Sequence, residues 1–107
     1  MKYIFLLLFA VNLFAYERII ALSPSINEII YALGGGDKIV GNTKYCDFPL
    51  DSQNKPKVGG YFSPNLEKIV SLKPDVVIML ENTKKLSKKL HKLGIKTKIL
   101  KLTKLEE

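Results

Sequence analysis

The sequence predicts an α/β fold, a Rossmann-like parallel sheet flanked by helices, and three observations carry that expectation. Short apolar runs at 18–22, 38–42, 75–80 and 95–102 alternate with segments whose apolar residues recur three or four apart. The run Val76-Val-Ile-Met-Leu80 shows no polar alternation, which suits a parallel strand covered on both faces. Strand and helix alternate three times and end on a strand, an order that builds a layer with right-handed crossovers.

Residues 1–15 precede this pattern and differ from it. They hold one Lys, an apolar run and then the small Ala15, the pattern of a secretory signal peptide. The apolar stretch at 3–11 is shorter than the about 20 residues that a spanning helix needs, so the segment reads as a cleaved leader. No Cys stands near Ala15 to accept a lipid. The expectation is a soluble, exported, periplasmic protein with one domain over 16–107.

Within that domain, residues 18–22 form the first strand, and Ile26, Ile29, Ile30 and Leu33 then recur at helical spacing until Gly34-Gly-Gly36 stops the helix. Ser25 with Glu28 fits a capping box. Residues 38–42 form the second strand. From 43 to 61 the chain is polar and aperiodic, with Pro49, Pro56, Gly59 and Gly60, so it reads as a long loop with a brief extended piece at 57–58. Leu66, Ile69, Val70 and Leu72 mark the next helix, with Ser63 as N-cap, Pro64 at the first helical position and Lys73-Pro74 as its stop. After the strand at 75–80, residues 82–93 form a third helix closed by Gly94, and 95–102 form a fourth strand. Thr103 followed by Glu106 reads as the opening turn of another helix, so the domain looks unfinished.

The chain has 107 residues and a formal net charge of +7. Nine lysines fall between Lys84 and Lys104, around Leu86, Leu90 and Leu93 at helical spacing, which reads as a solvated outer face; an exported protein has no nucleic-acid partner. One cysteine, Cys46, excludes an internal disulfide, so a chain of about 92 residues after the leader must be held by its core. Catalytic motifs are missing. There is no Gly-x-Ser-x-Gly, and Gly34-Gly-Gly36 follows a helix, so it is no dinucleotide fingerprint. Cys46 has no neighbouring His, and the single His91 sits among lysines, which argues against a metal site, a resident cofactor or a Cys/His pair.

Binding is the better reading. In open parallel sheets ligands lie beyond the carboxyl ends of the strands. Ser25 and Asn27 leave the first strand there and can either cap the helix or offer hydrogen bonds to a ligand. The loop holds Tyr45, Phe48, Tyr61 and Phe62, more aromatics than a connector needs, and aromatic faces suit a large flat ligand. Tyr45 and Tyr61, with polar tips, are expected to point outward and Phe48 inward. Glu67 sits in a first helical turn, where the helix dipole favours it.

Arg18-Ile-Ile-Ala-Leu-Ser-Pro-Ser-Ile-Asn-Glu28, Tyr45-Cys-Asp-Phe-Pro49, Val58-Gly-Gly-Tyr61 and Asn65-Leu-Glu-Lys-Ile-Val-Ser-Leu-Lys-Pro-Asp-Val-Val-Ile78 together resemble the N-terminal lobe of periplasmic substrate-binding proteins of ABC importers for cobalamin, haem and ferric siderophores. The resemblance implies a two-lobed protein that holds its ligand between α/β lobes and hands it to a membrane permease. It also implies aromatic ligand contacts at Tyr45 and Tyr61, the latter a larger indole in cobalamin binders, and a permease-docking acid at Glu67. The linker helix and second lobe of that family are not in the sequence, which suggests a truncated lobe. The expectation is thus a monomeric, non-enzymatic binder of cobalamin or a similar metal chelate. A ferric siderophore or haem binder is the alternative within the class. Outside it stand an exported α/β enzyme using Asp47 or Cys46, and a non-functional fragment.

Overall fold

A computed structural model describes residues 15–60, 63–80 and 84–100. Four parallel strands, β1 (Ile19–Ala21), β2 (Ile39–Asn42), β3 (Val76–Leu80) and β4 (Thr97–Leu100), form one sheet in the order β2-β1-β3-β4. Three helices connect them: α1 (Pro24–Ala32), α2 (Leu66–Ser71) and α3 (Lys84–Lys92). The expected α/β sheet with its alternating order is therefore present. Alternating side chains of the strands feed two cores. Ile19, Ala21, Val76, Ile78 and Leu100 pack with Ile26 and Ile30 of α1; Ile20, Leu22, Val77 and Met79 pack with Ile69 of α2, Leu90 of α3 and Val58. Helices thus cover both faces, as the uninterrupted apolar β3 required.

The ends of the elements follow local chemistry. Pro24 opens α1 with its fixed φ, and a residue ahead of proline is pushed to extended backbone, so Ser23 (φ −149°, ψ 156°) becomes the N-cap and its Oγ accepts from the Ile26 amide at 3.2 Å. Ser25, expected as the cap partner of Glu28, lies two residues past the cap, exposed in the first turn. The second Ser-Pro pair behaves differently. Pro64 pairs with Gly59 in an isolated bridge, and Asn65, one residue later, caps α2 through the Lys68 amide at 3.1 Å. A cap at Ser63 is therefore not what forms.

At their other ends α1 and α3 share one device. Gly34 (φ 84°) and Gly94 (φ 80°) take the left-handed conformation, and the next amides, of Gly35 and Ile95, donate to Ile30 and Leu90 five residues back. In α2 the corresponding residue is Lys73 at φ 49°, and the Arg18 guanidinium donates to the free carbonyls of Leu72 and Lys73. Arg18 and Glu17 amides in turn bond the Asp75 carboxylate, clipping the entry of β1 to that of β3. A bulge at Val40 lets Gly41 oppose Ile20. A Cβ on Gly41 would lie 2.8 Å from Leu72 Cδ1, so the absent side chain lets α2 sit close.

Two departures concern extent. The long loop contains a 3-10 turn, Leu50–Asn54, which a polar, aperiodic stretch gave no reason to expect. The fourth strand begins at Thr97 and not at 95, and its expected last residues, the turn at 103–106 and residues 1–14 of the leader lie outside the described residues.

Candidate functional site

Strand order reverses between β1 and β3, and in such sheets the crevice beyond the carboxyl ends at that point receives ligands. Among the described residues, Leu22-Ser23 leaves that edge into α1 and Asn42-Thr43 leaves it into the long loop. The amino end of α2, with exposed Glu67 in its first turn, lies at the same edge because α2 returns from it.

The loop is held from below by a polar network. Asn42, at the end of β2, is fully buried; its Nδ2 donates to Asn27 Oδ1 at 3.1 Å and to the Ser52 carbonyl at 3.2 Å. Asn27 Nδ2 donates to the Phe48 carbonyl at 3.1 Å. The Lys57 ammonium is the hub. It donates to Asn42 Oδ1 at 2.7 Å, the Ser52 carbonyl at 2.9 Å and the Cys46 carbonyl at 3.2 Å, which uses all three of its protons on neutral oxygens. Ser52 Oγ also bonds the carbonyls of Cys46 and Pro49. Among the described residues no buried side-chain nitrogen or oxygen lacks a partner. Such a network is rigid, because each member fixes the next.

Above this floor the loop presents apolar side chains to solvent. Tyr45 is 64 % exposed, Phe48 68 % and Leu50 74 %. The Lys44 ammonium stands 5.1 Å from the centre of the Tyr45 ring, within cation–π range. Tyr45 points outward as expected, whereas Phe48 does not point in. The reason lies in the floor: Cys46 takes the interior position, fully buried with Sγ 3.2 Å from Thr43 Oγ1, and the rest of the space is polar, which a phenyl ring would leave unsatisfied. Tyr61 lies outside the described residues.

Of the other residues singled out by sequence, Ser25 is exposed on the first turn of α1, and Asn27 is wholly buried with its amide engaged below the loop. Asn27 therefore supports the loop from below. Lys57 and Asn42 escaped the sequence reading, and the one available signal was the extended piece at 57–58: Lys57 pairs with Asn42 across an isolated parallel bridge there. Leu50 escaped as well, since nothing predicted the 3-10 turn that exposes it.

Tyr31 of α1 ties the far side of the loop, its hydroxyl donating to Asp51 Oδ2 at 2.7 Å. Burial and then the neighbouring Asp51 carboxylate push its phenol well above the usual tyrosine range. Cys46 is too buried to act as a nucleophile at the surface, so the enzyme reading loses one of its two candidates. Among the described residues no group of three or more His, Cys, Asp or Glu side chains could hold a metal ion. A depression of about 440 Å³ lined by Tyr16, Asp75, Gly94 and Lys96 opens at the opposite, amino-terminal edge of the sheet.

Comparison with known proteins agrees with this geometry. The chain is 43 % identical over 95 residues to the vitamin B12-binding protein of Vibrio vulnificus strain CMCP6, an alignment covering 85 % of this chain and 35 % of the relative. It superposes on the periplasmic vitamin B12 binding protein BtuF of Vibrio cholerae with a TM-score of 0.71 and 38 % identity, over 78 % of this chain and 34 % of that one. A periplasmic haem binding protein from Pseudomonas aeruginosa gives a TM-score of 0.75 at 27 % identity, over 80 % and 32 %. The chain thus spans about a third of the length of the curated relatives it matches. Their names are those of binding proteins. The model of one family, the periplasmic binding proteins, matches residues 19–106, and the chain belongs to that family.

Proposed function

We propose that this chain captures a corrinoid, cobalamin or a close relative, outside the cytoplasmic membrane and presents it to an ABC importer. The observation that carries the reading is the apolar wall of Tyr45, Phe48 and Leu50, exposed on the loop that leaves β2 at the carboxyl edge of the sheet and held on a rigid polar floor. Large apolar side chains on a loop whose backbone is already held need no backbone ordering on binding, so contact with a broad macrocycle converts into affinity. The likeness to vitamin B12-binding proteins supports the ligand class. Ser25 and Tyr61 are further ligand contacts in this reading, and Asn27 acts through Phe48. Export by the leader at 1–15 brings the chain to the ligand. Glu67, exposed at the same edge, is the docking acid for a basic surface of the permease, where it steers encounter.

One observation favours a second reading. Lys44 beside Tyr45 places a cation at the wall, which suits the acid groups of haem or of an anionic ferric chelate. Equilibrium dialysis against cyanocobalamin, haemin and a ferric siderophore separates the two. Cyanocobalamin is expected to bind best, and Tyr45→Ala to weaken it about tenfold, the loss of one aromatic contact. Preference for haemin, lost in Lys44→Gln, would move the assignment to the second reading.

A further inference from the structure

The excess positive charge of this chain is concentrated in one segment, in and just after α3. Seven lysines between Lys84 and Lys98 equal the formal net charge of +7, and the rest of the chain holds basic and acidic residues in equal number. No Asp or Glu interrupts them. At about 100° per residue, Lys84, Lys85, Lys88, Lys89 and Lys92 fall within one arc of about 140° on α3, with Leu86 and Leu90 on the opposite side against the sheet. All five are exposed, as is Lys96 just beyond, and among the described residues none of the seven lysines is in a salt bridge. Leu93, 52 % exposed, borders the arc next to Lys89.

We propose that this face of α3 docks the protein on an anionic phospholipid surface. A protein partner fits less well. Protein interfaces are depleted of lysine and anchored by aromatic residues or arginine, and this arc has neither. Flexible ammonium groups spread over a smooth helix face suit a diffuse negative potential, which each lysine near the surface converts into roughly fivefold tighter binding. Leu93 adds an apolar contact at the headgroup boundary. The face is separate from the aromatic wall, because α3 covers the sheet while Tyr45 and Phe48 stand beyond its carboxyl edge. Docking therefore leaves the wall open, and it holds whichever chelate the wall takes.

The test is flotation of the full chain with vesicles of phosphatidylglycerol mixed into phosphatidylcholine, against phosphatidylcholine alone. The apolar leader partitions into both kinds, so the difference between them isolates the charge. Binding to the anionic vesicles is expected to exceed that to the neutral ones, and this excess to vanish between about 0.1 M and about 1 M salt, as the screening length shortens from about 10 Å to about 3 Å. The triple variant Lys85→Gln, Lys88→Gln and Lys92→Gln, cut from the centre of the arc, should lose about a hundredfold in affinity for the anionic vesicles. Equal flotation with both vesicles, or a triple variant that binds as the parent does, overturns the proposal. So does tighter binding to a soluble polyglutamate than to the vesicles, which would assign the face to an acidic protein. The vesicle comparison and the salt series on the parent chain decide the matter even if the variant fails to fold, and neither depends on corrinoid binding.

Discussion

A lysine with three neutral oxygen partners is an uncommon way to close a loop, and Lys57 sets the terms for everything above it. Its carbon stem crosses from the bridge with Asn42 and its ammonium replaces water for the carbonyls of Cys46 and Ser52. Lys57→Met keeps the stem and removes the donor, leaving Asn42 Oδ1 and the Cys46 carbonyl under-satisfied. The expected cost is about 2 kcal/mol in urea denaturation, because a charged hydrogen-bond donor is lost from a part-buried site. Tyr45→Ala should change the same denaturation curve by less than about 0.5 kcal/mol, since its ring is in water. The contrast separates floor from wall. Cys46 offers an independent check: a thiol reagent should leave the folded chain almost unlabelled and label it fully in denaturant, because the side chain has no solvent exposure.

At the scale of elements, α1 and the loop are joined by the Tyr31–Asp51 bond, and that bond depends on Gly36. A Cβ at Gly36 would overlap the Tyr31 ring, so Gly36→Ala must displace it. The Tyr31 phenol holds its proton more tightly folded than unfolded. Below the ordinary tyrosine value near 10 both states keep that proton and its contribution to stability is whole; as pH rises past 10 the unfolded chain releases it first, and stability falls. Melting curves taken across that range should therefore fall less steeply for Tyr31→Phe than for the parent. How the elements were legible follows from the same kind of physics. Strands β1 to β4 and the stops at Gly34 and Gly94 could be read because apolar runs and left-handed glycines are local signals. The two Ser-Pro pairs could not be told apart, since a distant partner, Gly59, decides that Pro64 enters a bridge while Pro24 enters a helix. Phe48 was misjudged for the same reason: its exposure depends on Asn27 and Lys57, 21 residues before and nine after it, filling the floor with polar groups. At the site, Tyr45 and Glu67 were legible as exposed residue types, whereas Asn42, Leu50 and Lys57 owe their roles to folding.

The whole molecule separates its duties by place. Two apolar cores fix a four-stranded sheet, the carboxyl edge of that sheet carries the aromatic wall and Glu67, and the lysine face of α3 lies to one side of both. In the reading proposed above, ligand and permease meet the chain at the carboxyl edge, and the lipid surface meets it at α3. The central claim is that the wall is the corrinoid site, and amide NMR spectra recorded during titration with cyanocobalamin test it most directly, because they register weak as well as tight binding and report where it occurs. Saturable shifts concentrated on Ser23–Ser25 and residues 43–60, reached only at about tenfold more ligand in Tyr45→Ala while the remaining spectrum stays folded, are the result this account predicts; no saturable shifts, or shifts centred on α3 or the amino-terminal edge, would contradict it.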